Sequence, residues 1–166
     1  AEVFTRKAIA ISPDYAEAYC NLGMILQDLS HLKEAEESYR KAIVINPDLA
    51  VAYSNLGNVL RDLGKLQDAE ESYQRAIAIN PDYAKAYSNL GGVLTDLGNL
   101  KEAEESYQRA IAINPDYERP YYLLSLMKYS EKNNSWLDKL FSENMLIKKS
   151  KKEQIDIYFA RANILH

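Results

Sequence analysis

Residue types that usually carry chemistry are scarce in this sequence of 166 residues. A lone cysteine, Cys20, excludes an intrachain disulfide framework, and the two histidines, His31 and His166, lack the spacing of metal ligands. The six glycines form no phosphate-binding loop. No apolar run approaches the roughly 20 residues that span a bilayer, and no signal-peptide pattern is present. We therefore expect a cytoplasmic protein with no catalytic residues, no metal, no cofactor and no membrane association.

Charge is unevenly distributed along the chain, which has a net charge of −4. Residues 1–118 carry 11 basic and 19 acidic side chains, whereas residues 119–166 carry 9 basic and 5 acidic ones. The acidic part argues against a nucleic-acid partner, because phosphate binding requires neutralising cations. The basic cluster 148–152 could bind phosphate, but its position between two apolar helical stretches favours a solvated linker.

The sequence contains an internal repeat of 34 residues. Residues 50–83 and 84–117 agree at 28 of 34 positions, and residues 16–49 form a looser copy. Within 50–83, apolar residues at helical spacing predict one helix over about 51–63 and a second over about 66–79, ended by Asn-Pro-Asp. A glycine in the middle of the first helix, Gly57, predicts close approach of the two helices, because glycine there costs about 1 kcal/mol relative to alanine.

The repeat resembles the tetratricopeptide-repeat family at eight positions in each copy. In the second copy these are Tyr53, Leu56, Gly57, Leu60, Ala69, Tyr73, Ala76 and Pro81. The resemblance implies an all-α, right-handed superhelical solenoid of antiparallel helix pairs. The segments are then 1–15 (a second helix only), the repeats 16–49, 50–83 and 84–117, and a degenerate helical extension, 118–166.

The same resemblance implies a concave groove that is lined by the first helix of each repeat and binds an extended peptide. The face opposite the apolar stripe includes Cys20 and Ser54. The second and third copies differ at six positions, and three of these positions lie on this face. This variation is either drift after duplication or adaptation to one ligand. The predicted groove residues are Glu17, Asn21, Met24, Gln27, Asp28, Val51, Asn55, Asn58, Arg61, Asp62, Lys85, Asn89, Thr95 and Asp96.

Three asparagines, Asn21, Asn55 and Asn89, recur at one position of this face although asparagine is a mediocre helix former. Their amides suit the backbone of an extended peptide, and the row resembles the asparagine ladder of O-linked N-acetylglucosamine transferases. Structural bonding between repeats is the alternative. Related domains hold the acidic tail of heat-shock chaperones with a clamp of lysine, arginine and asparagine. Asn55 and Lys85 match this clamp, but Cys20, Met24 and Asn89 stand where it requires lysine, asparagine and arginine, so an acidic tail is disfavoured.

Both ends of the sequence interrupt the repeat. Residues 1–15 align with a second helix, so we expect a piece of a longer solenoid. The tail, RPYYLLSLMKYSEKNNSW to IDIYFARANILH, resembles the connecting segment of tetratricopeptide-repeat proteins fused to a sulfotransferase, and Ser150 with Glu153 forms a capping box for a last helix. Because solenoids need polar caps, two unfinished ends predict head-to-tail self-association.

Three functions follow from these features. We predict a protein–protein interaction scaffold that binds a protein or peptide partner in the groove. The alternative is a non-catalytic arm that presents substrate to a sulfotransferase or glycosyltransferase domain beyond His166. A third hypothesis is a structural spacer without a groove ligand.

Overall fold

The computed structural model describes residues 1–127, 135–147 and 149–165, and all secondary structure in these ranges is helical. The helices are α1 (Glu2–Ile11), α2 (Ala16–Asp28), α3 (Leu32–Ile45), α4 (Ala50–Asp62), α5 (Leu66–Ile79), α6 (Ala84–Asp96), α7 (Leu100–Ile113), α8 (Glu118–Leu126), α9 (Ser135–Phe141) and α10 (Lys151–Leu165), with a 3-10 helix at Glu143–Leu146. The chain divides into two compact units, Ala1–Pro81 and Asp82–His166. None of the described helices is long and apolar enough to cross a membrane.

Each repeat folds as two helices joined by a tight turn. The turn needs a left-handed residue, which is Gly64 (φ 74°) in the second copy and Gly98 (φ 83°) in the third. In the first copy Ser30 takes this conformation, at φ 62°. Glycine adopts positive φ without steric cost, whereas serine does not. The backbone of the turn in the first copy is therefore more strained than that of the two glycine turns.

The second helix of a repeat ends at the Asn-Pro-Asp sequence. In α3 the last backbone bond runs from the Asn46 N–H to the Ala42 carbonyl, at 2.8 Å. The proline that follows forces Asn46 into an extended conformation, with φ −130°. The Asn46 side chain then accepts a bond of 3.1 Å from the N–H of Asp48, which fixes the direction of the chain into the next repeat.

The helices of a repeat meet where the mid-helix glycine faces a tyrosine. Tyr39, Tyr73 and Tyr107 are completely or almost completely buried. A Cβ added to Gly57 would lie 2.8 Å from Cε1 and Cζ of Tyr73, and Gly23 and Gly91 stand in the same relation to their tyrosines. The predicted close approach is confirmed, and the group that occupies the space is an aromatic ring.

A small ionic network links the first two copies within Ala1–Pro81. The carboxylate of Glu36 accepts bonds from Lys65 (2.8 Å) and Arg40 (2.9 Å). Burial acts to raise the pKa of Glu36, but the hydrogen bonds from Lys65 and Arg40 outweigh it, and the pKa is lowered. The network therefore stabilises the contact between α3 and the α4–α5 turn only while Glu36 is ionised.

Within Asp82–His166, the tail packs against α8, which follows the third repeat in the position of a first helix. Helix α10 lies along α8, with Ile157 and Ala160 buried. The Trp136 indole of α9 meets the Tyr121 ring edge-on, with centroids 6.3 Å apart. Arg161 donates bonds of 2.9 Å to the carbonyls of Leu140 and Ser142, which secures the end of α9. The tail therefore forms a folded layer on α8.

The basic cluster is only partly the solvated linker that the sequence predicted. Lys149 is mostly buried, lies 3.4 Å from the Glu118 carboxylate and donates to the backbone carbonyl of Asp116. Lys151 and Lys152 are exposed, and Lys148 lies outside the described residues. Lys149 thus anchors the start of the last helix to the start of α8. Ser150 and Glu153 form the predicted capping box, with bonds of 2.7 and 3.3 Å.

Candidate peptide-binding face

The predicted groove residues of α2 are largely accessible. Glu17, Asn21, Met24 and Asp28 are exposed, while Gln27 is half-buried. The helix buries its opposite sides against α1 and α3. One strip of α2 is therefore available to a ligand, and it carries two carboxylates, an amide and a thioether.

The corresponding strip of α4 is narrower. Val51 and Asp62 are exposed, whereas Asn55, Asn58 and Arg61 are half-buried. Helix α4 packs against both α3 and α5 and also touches α2, so less of its surface is left. Together α2 and α4 form one accessible face in Ala1–Pro81.

Helix α6, in the second unit, differs from the other two first helices. Lys85 and Asp96 are exposed and Thr95 is half-buried, but Asn89 is only 5% exposed. The three asparagines that share one repeat position are therefore not equivalent: Asn21 is accessible, Asn55 is half-buried and Asn89 is in the core. Identical sequence at this position does not mean identical exposure.

Two residues assigned to this face by their helical position are in fact in the core. Ser54 is 0% exposed and Cys20 is 5% exposed, and the equivalent Ser88 is also buried. For Cys20 and Ser54 the assignment was wrong because α2 and α4 pack against the preceding helices, α1 and α3, as well as against their own partners, α3 and α5. The buried surface is consequently wider than one apolar stripe. The small size shared by these three residues was the available signal.

Several groove residues are bonded to the core tyrosines of their own repeats. The Tyr73 hydroxyl donates to Asn58 Oδ1 at 2.7 Å. Longer contacts of 3.4 Å join the Tyr39 hydroxyl to Gln27 Oε1 and the Tyr107 hydroxyl to Thr95 Oγ1. The sequence did not reveal these contacts, because the residue that meets the tyrosine hydroxyl stands at one repeat position in the first and third copies and at another in the second. Part of the polar face therefore serves the fold.

Asn55 lies close to the neighbouring repeat. Its side chain is near enough to the thiol of Cys20 to influence the pKa of that thiol. Burial raises the pKa of Cys20, the Asn55 amide opposes that shift, and the nearby charge of Glu17 adds to it. The thiol is thus held neutral and inside the core. The proximity of Asn55 to Cys20 joins two repeats, which is the kind of contact that the structural alternative for the asparagines requires.

A second concave region lies away from this face. A cavity of about 360 Å³ between α3, α4 and α5 is lined by Arg40, Ile43, Val44, Tyr53 and Arg75, among others. Sequence reasoning missed it, although an exposed apolar Val44 where the later copies have alanine was a usable signal. No group of three or more metal-ligating side chains occurs within residues 1–127, 135–147 and 149–165.

The fold is shared with solved repeat proteins. The crystal structure of MamA is 27% identical, with a TM-score of 0.71, and the match covers 97% of this chain and 85% of MamA. The first TPR domain of Spaghetti (RPAP3), solved bound to the HSP90 peptide SRMEEVD, is 26% identical, with a TM-score of 0.67 over 68% of this chain and 90% of that domain. The TPR domain of Arabidopsis OM64 has the same fold at 23% identity, with a TM-score of 0.67 over 68% of this chain and 93% of that one.

Sequence profiles agree with the structural matches. Two profiles described as tetratricopeptide repeat match residues 48–116 and 16–49, which together make up well over half of the chain. No curated protein sequence matches. The 34-residue period, the glycine–tyrosine contact in each helix pair and these profiles lead to one conclusion: the chain belongs to the tetratricopeptide-repeat family.

Proposed function

We propose that the protein is an interaction scaffold that binds an extended peptide on the face formed by α2 and α4. The observation that carries the proposal is the accessible polar strip of Glu17, Asn21, Met24 and Asp28 on a helix whose other sides are buried. Side chains that neither fill the core nor sit in a turn are available for recognition. A related domain of the same fold was solved with a peptide bound. The predicted cytoplasmic location belongs to the same proposal.

Charge decides which peptides this face accepts. Glu17 and Asp28 on α2 and Asp62 on α4 are exposed carboxylates. Arg61, the basic residue among the predicted groove residues of α2 and α4, is half-buried. Like charges across an interface are repulsive, so an acidic peptide is disfavoured and a basic or neutral one is favoured. The protein therefore differs in ligand preference from the RPAP3 domain, whose bound peptide contains three acidic residues.

Calorimetric titration with two peptides tests this preference. One is SRMEEVD, and the other, SRMKKVK, has lysine at the three acidic positions. We expect tighter binding of the lysine peptide, and we expect the variant Glu17→Lys with Asp28→Lys to reverse the order. Gln74→Lys, at an exposed position of α5, is the control and should leave the order unchanged. Tighter binding of SRMEEVD to the unmodified protein, or no difference between the peptides, contradicts the proposal.

The roles of the asparagines are separable by comparing two variants. Asn21→Ala removes an exposed amide, so it should weaken peptide binding by about 1 kcal/mol, roughly five-fold, and leave the melting temperature unchanged. Asn89→Ala alters a buried polar side chain and should lower the melting temperature. Unchanged binding in Asn21→Ala together with a lower melting temperature would assign Asn21 a structural role.

No feature of the described residues favours the alternative of an arm that presents substrate to a transferase. That alternative requires a sulfotransferase or glycosyltransferase domain in the same polypeptide beyond His166, a residue outside those described. The reading frame downstream of residue 166 tests it directly.

A further inference from the structure

The cavity between α3, α4 and α5, here called the α3–α4–α5 cavity, combines apolar and basic side chains. Its lining includes Tyr53 and Ile43, which are half-buried, and Val44, which is 79% exposed. Two arginines, Arg40 and Arg75, line it as well. Ligand sites are typically concave and mostly apolar, with a few polar groups that fix the orientation of the ligand. The cavity, which lies between two adjacent repeats of Ala1–Pro81, has this composition.

A second cavity in Asp82–His166 uses the same repeat positions and contains an aromatic ring from the tail. It measures about 260 Å³ and is lined by Ile111, Ala112 and Tyr121. These residues follow Ile43, Val44 and Tyr53 by two periods of 34 residues. Trp136 of α9 also lines this cavity, is only 4% exposed and meets the Tyr121 ring edge-on. A large aromatic side chain therefore packs against the repeat tyrosine in the second cavity.

The α3–α4–α5 cavity has room for a comparable side chain. Residues 1–81 are all described, and they bring no aromatic ring other than Tyr53 to its lining. It is also the larger of the two, at about 360 Å³ against about 260 Å³. An aromatic side chain from a partner would meet Tyr53 there, as Trp136 meets Tyr121 in the tail.

Charge distinguishes the two cavities. Arg40 stands at the repeat position of Gln108, so the first cavity has a cation where the second has an amide. Arg40 bonds to Glu36 at 2.9 Å, whereas Arg75 is exposed and makes no hydrogen bond or ion pair with any residue that the structure describes. Glu71 also lines the cavity but does not pair with Arg75. The guanidinium of Arg75 is therefore available to a carboxylate, which it can bind with two parallel hydrogen bonds.

We propose that the α3–α4–α5 cavity docks a segment of a partner protein that carries a tryptophan and, close to it in sequence, an acidic residue. The indole packs against Tyr53 and Ile43, and the carboxylate pairs with Arg75. In the second cavity a cation, Lys139, belongs to the inserted helix α9. In the first cavity the cations belong to the repeats, so the docking segment supplies the anion.

This surface is distinct from the proposed peptide-binding face. Tyr53 and Asn55 are two residues apart on α4, which places them about 200° apart around the helix. The two surfaces also have opposite charge preferences, because the face of α2 and α4 carries exposed carboxylates and the cavity carries arginines. An acidic segment is therefore directed to the cavity and away from the other face. The inference does not depend on the proposed function of that face.

Three peptides test the chemistry of the docking segment. Helix α9 has the sequence SWLDKLF, and the probe is this peptide with glutamate in place of lysine, SWLDELF. The comparison peptides are SWLDKLF, which keeps the cation, and SALDELF, which lacks the indole. Fluorescence anisotropy of the dye-labelled peptides, titrated with the complete chain, gives each dissociation constant. We expect SWLDELF to bind about two- to fivefold more tightly than SWLDKLF, because an exposed ion pair contributes modestly. It should bind about tenfold more tightly than SALDELF, because aromatic anchors dominate such contacts.

Substitutions in the protein locate the site. Arg75→Glu should reverse the order, so that SWLDKLF binds more tightly than SWLDELF. Val44→Asp adds a carboxylate to the edge of the cavity and should weaken binding of SWLDELF. Lys41→Glu makes the same charge change as Arg75→Glu at an exposed position of α3 outside the lining, and it is the matched control. All three side chains are exposed, so circular dichroism should show an unchanged fold.

Several results would overturn the proposal. One is the absence of SWLDELF binding, and another is equal affinity for SWLDELF and either comparison peptide. Equal losses in Arg75→Glu and Lys41→Glu would show that net charge alone sets the affinity. If Glu17→Lys with Asp28→Lys changes the binding of SWLDELF and Arg75→Glu does not, the peptide binds to the face of α2 and α4 instead. Self-association of the unmodified protein that Arg75→Glu abolishes, measured by ultracentrifugation, would assign the cavity to a second copy.

Discussion

The contact between Gly57 and Tyr73 allows a quantitative test of how the repeat is held together. Replacing Gly57 by alanine should improve helix propensity by about 1 kcal/mol. The added Cβ would lie 2.8 Å from two ring atoms of Tyr73, well inside an ordinary contact distance. Tyr73 is completely buried, so its ring has no free space to enter. Overpacking of a core costs about 1–3 kcal/mol. We therefore expect Gly57→Ala to lower the free energy of unfolding by about 1 kcal/mol.

A double-mutant cycle separates the gain in helix propensity from the cost of overpacking against Tyr73. In a Tyr73→Leu background the ring is gone, and Gly57→Ala should then raise the free energy of unfolding by up to about 1 kcal/mol. The sign of the effect reverses between the backgrounds. Urea unfolding followed by helical circular dichroism measures each corner of the cycle.

Gly64→Ala is the matched control for this cycle. Gly64 has no neighbour within 4 Å of an added Cβ, but its φ of 74° disfavours alanine. Its substitution should be destabilising by a similar amount in both backgrounds, because backbone strain does not depend on Tyr73. If Gly57→Ala stabilises the protein while Tyr73 is present, the glycine is not required for close packing and the reasoning fails.

Three further substitutions test other features of the fold. Ser30→Gly should raise the free energy of unfolding by about 0.5–1 kcal/mol because Ser30 has φ 62°, whereas Gly64→Ser should lower it, as urea unfolding of both will reveal. Glu36→Gln should destabilise the protein above about pH 5, where the carboxylate is ionised. Since the folded-state pKa of Glu36 is lowered from 4.5, this difference should disappear as the pH falls through that lowered value, and melting temperatures of both proteins across pH 3–7 give the comparison. Cys20 should react with a thiol reagent only on unfolding, because the thiol is buried and its pKa is raised, so rapid labelling of the native protein would contradict its placement.

The repeat architecture was predictable because one pattern occurs three times. The mid-helix glycine and the Asn-Pro-Asp terminators have direct physical consequences that the structure confirms. The exposure of individual polar residues was not predictable. Asn21 and Asn89 have similar sequence neighbours, and their difference arises from which elements pack nearby, a property that a local pattern does not contain. Lys149 is similar: its anchoring to Glu118 depends on a contact 31 residues away in sequence.

The hydrogen bonds of the core tyrosines restrict how the binding face can diversify. Gln27, Asn58 and Thr95 differ in size and shape, yet each places an oxygen near a tyrosine hydroxyl. Variation at these surface positions is thus compatible with the fold when a polar atom is retained. Replacing Gln27, Asn58 or Thr95 by an aliphatic residue to change specificity would remove the hydrogen-bond partner of the tyrosine hydroxyl. Such a change would therefore lower stability as well as alter ligand binding. Within the part of the chain that the structure describes, Glu17, Asn21 and Lys85 make no such bond to a tyrosine and are exposed, so new specificity can evolve at these positions with little cost to stability.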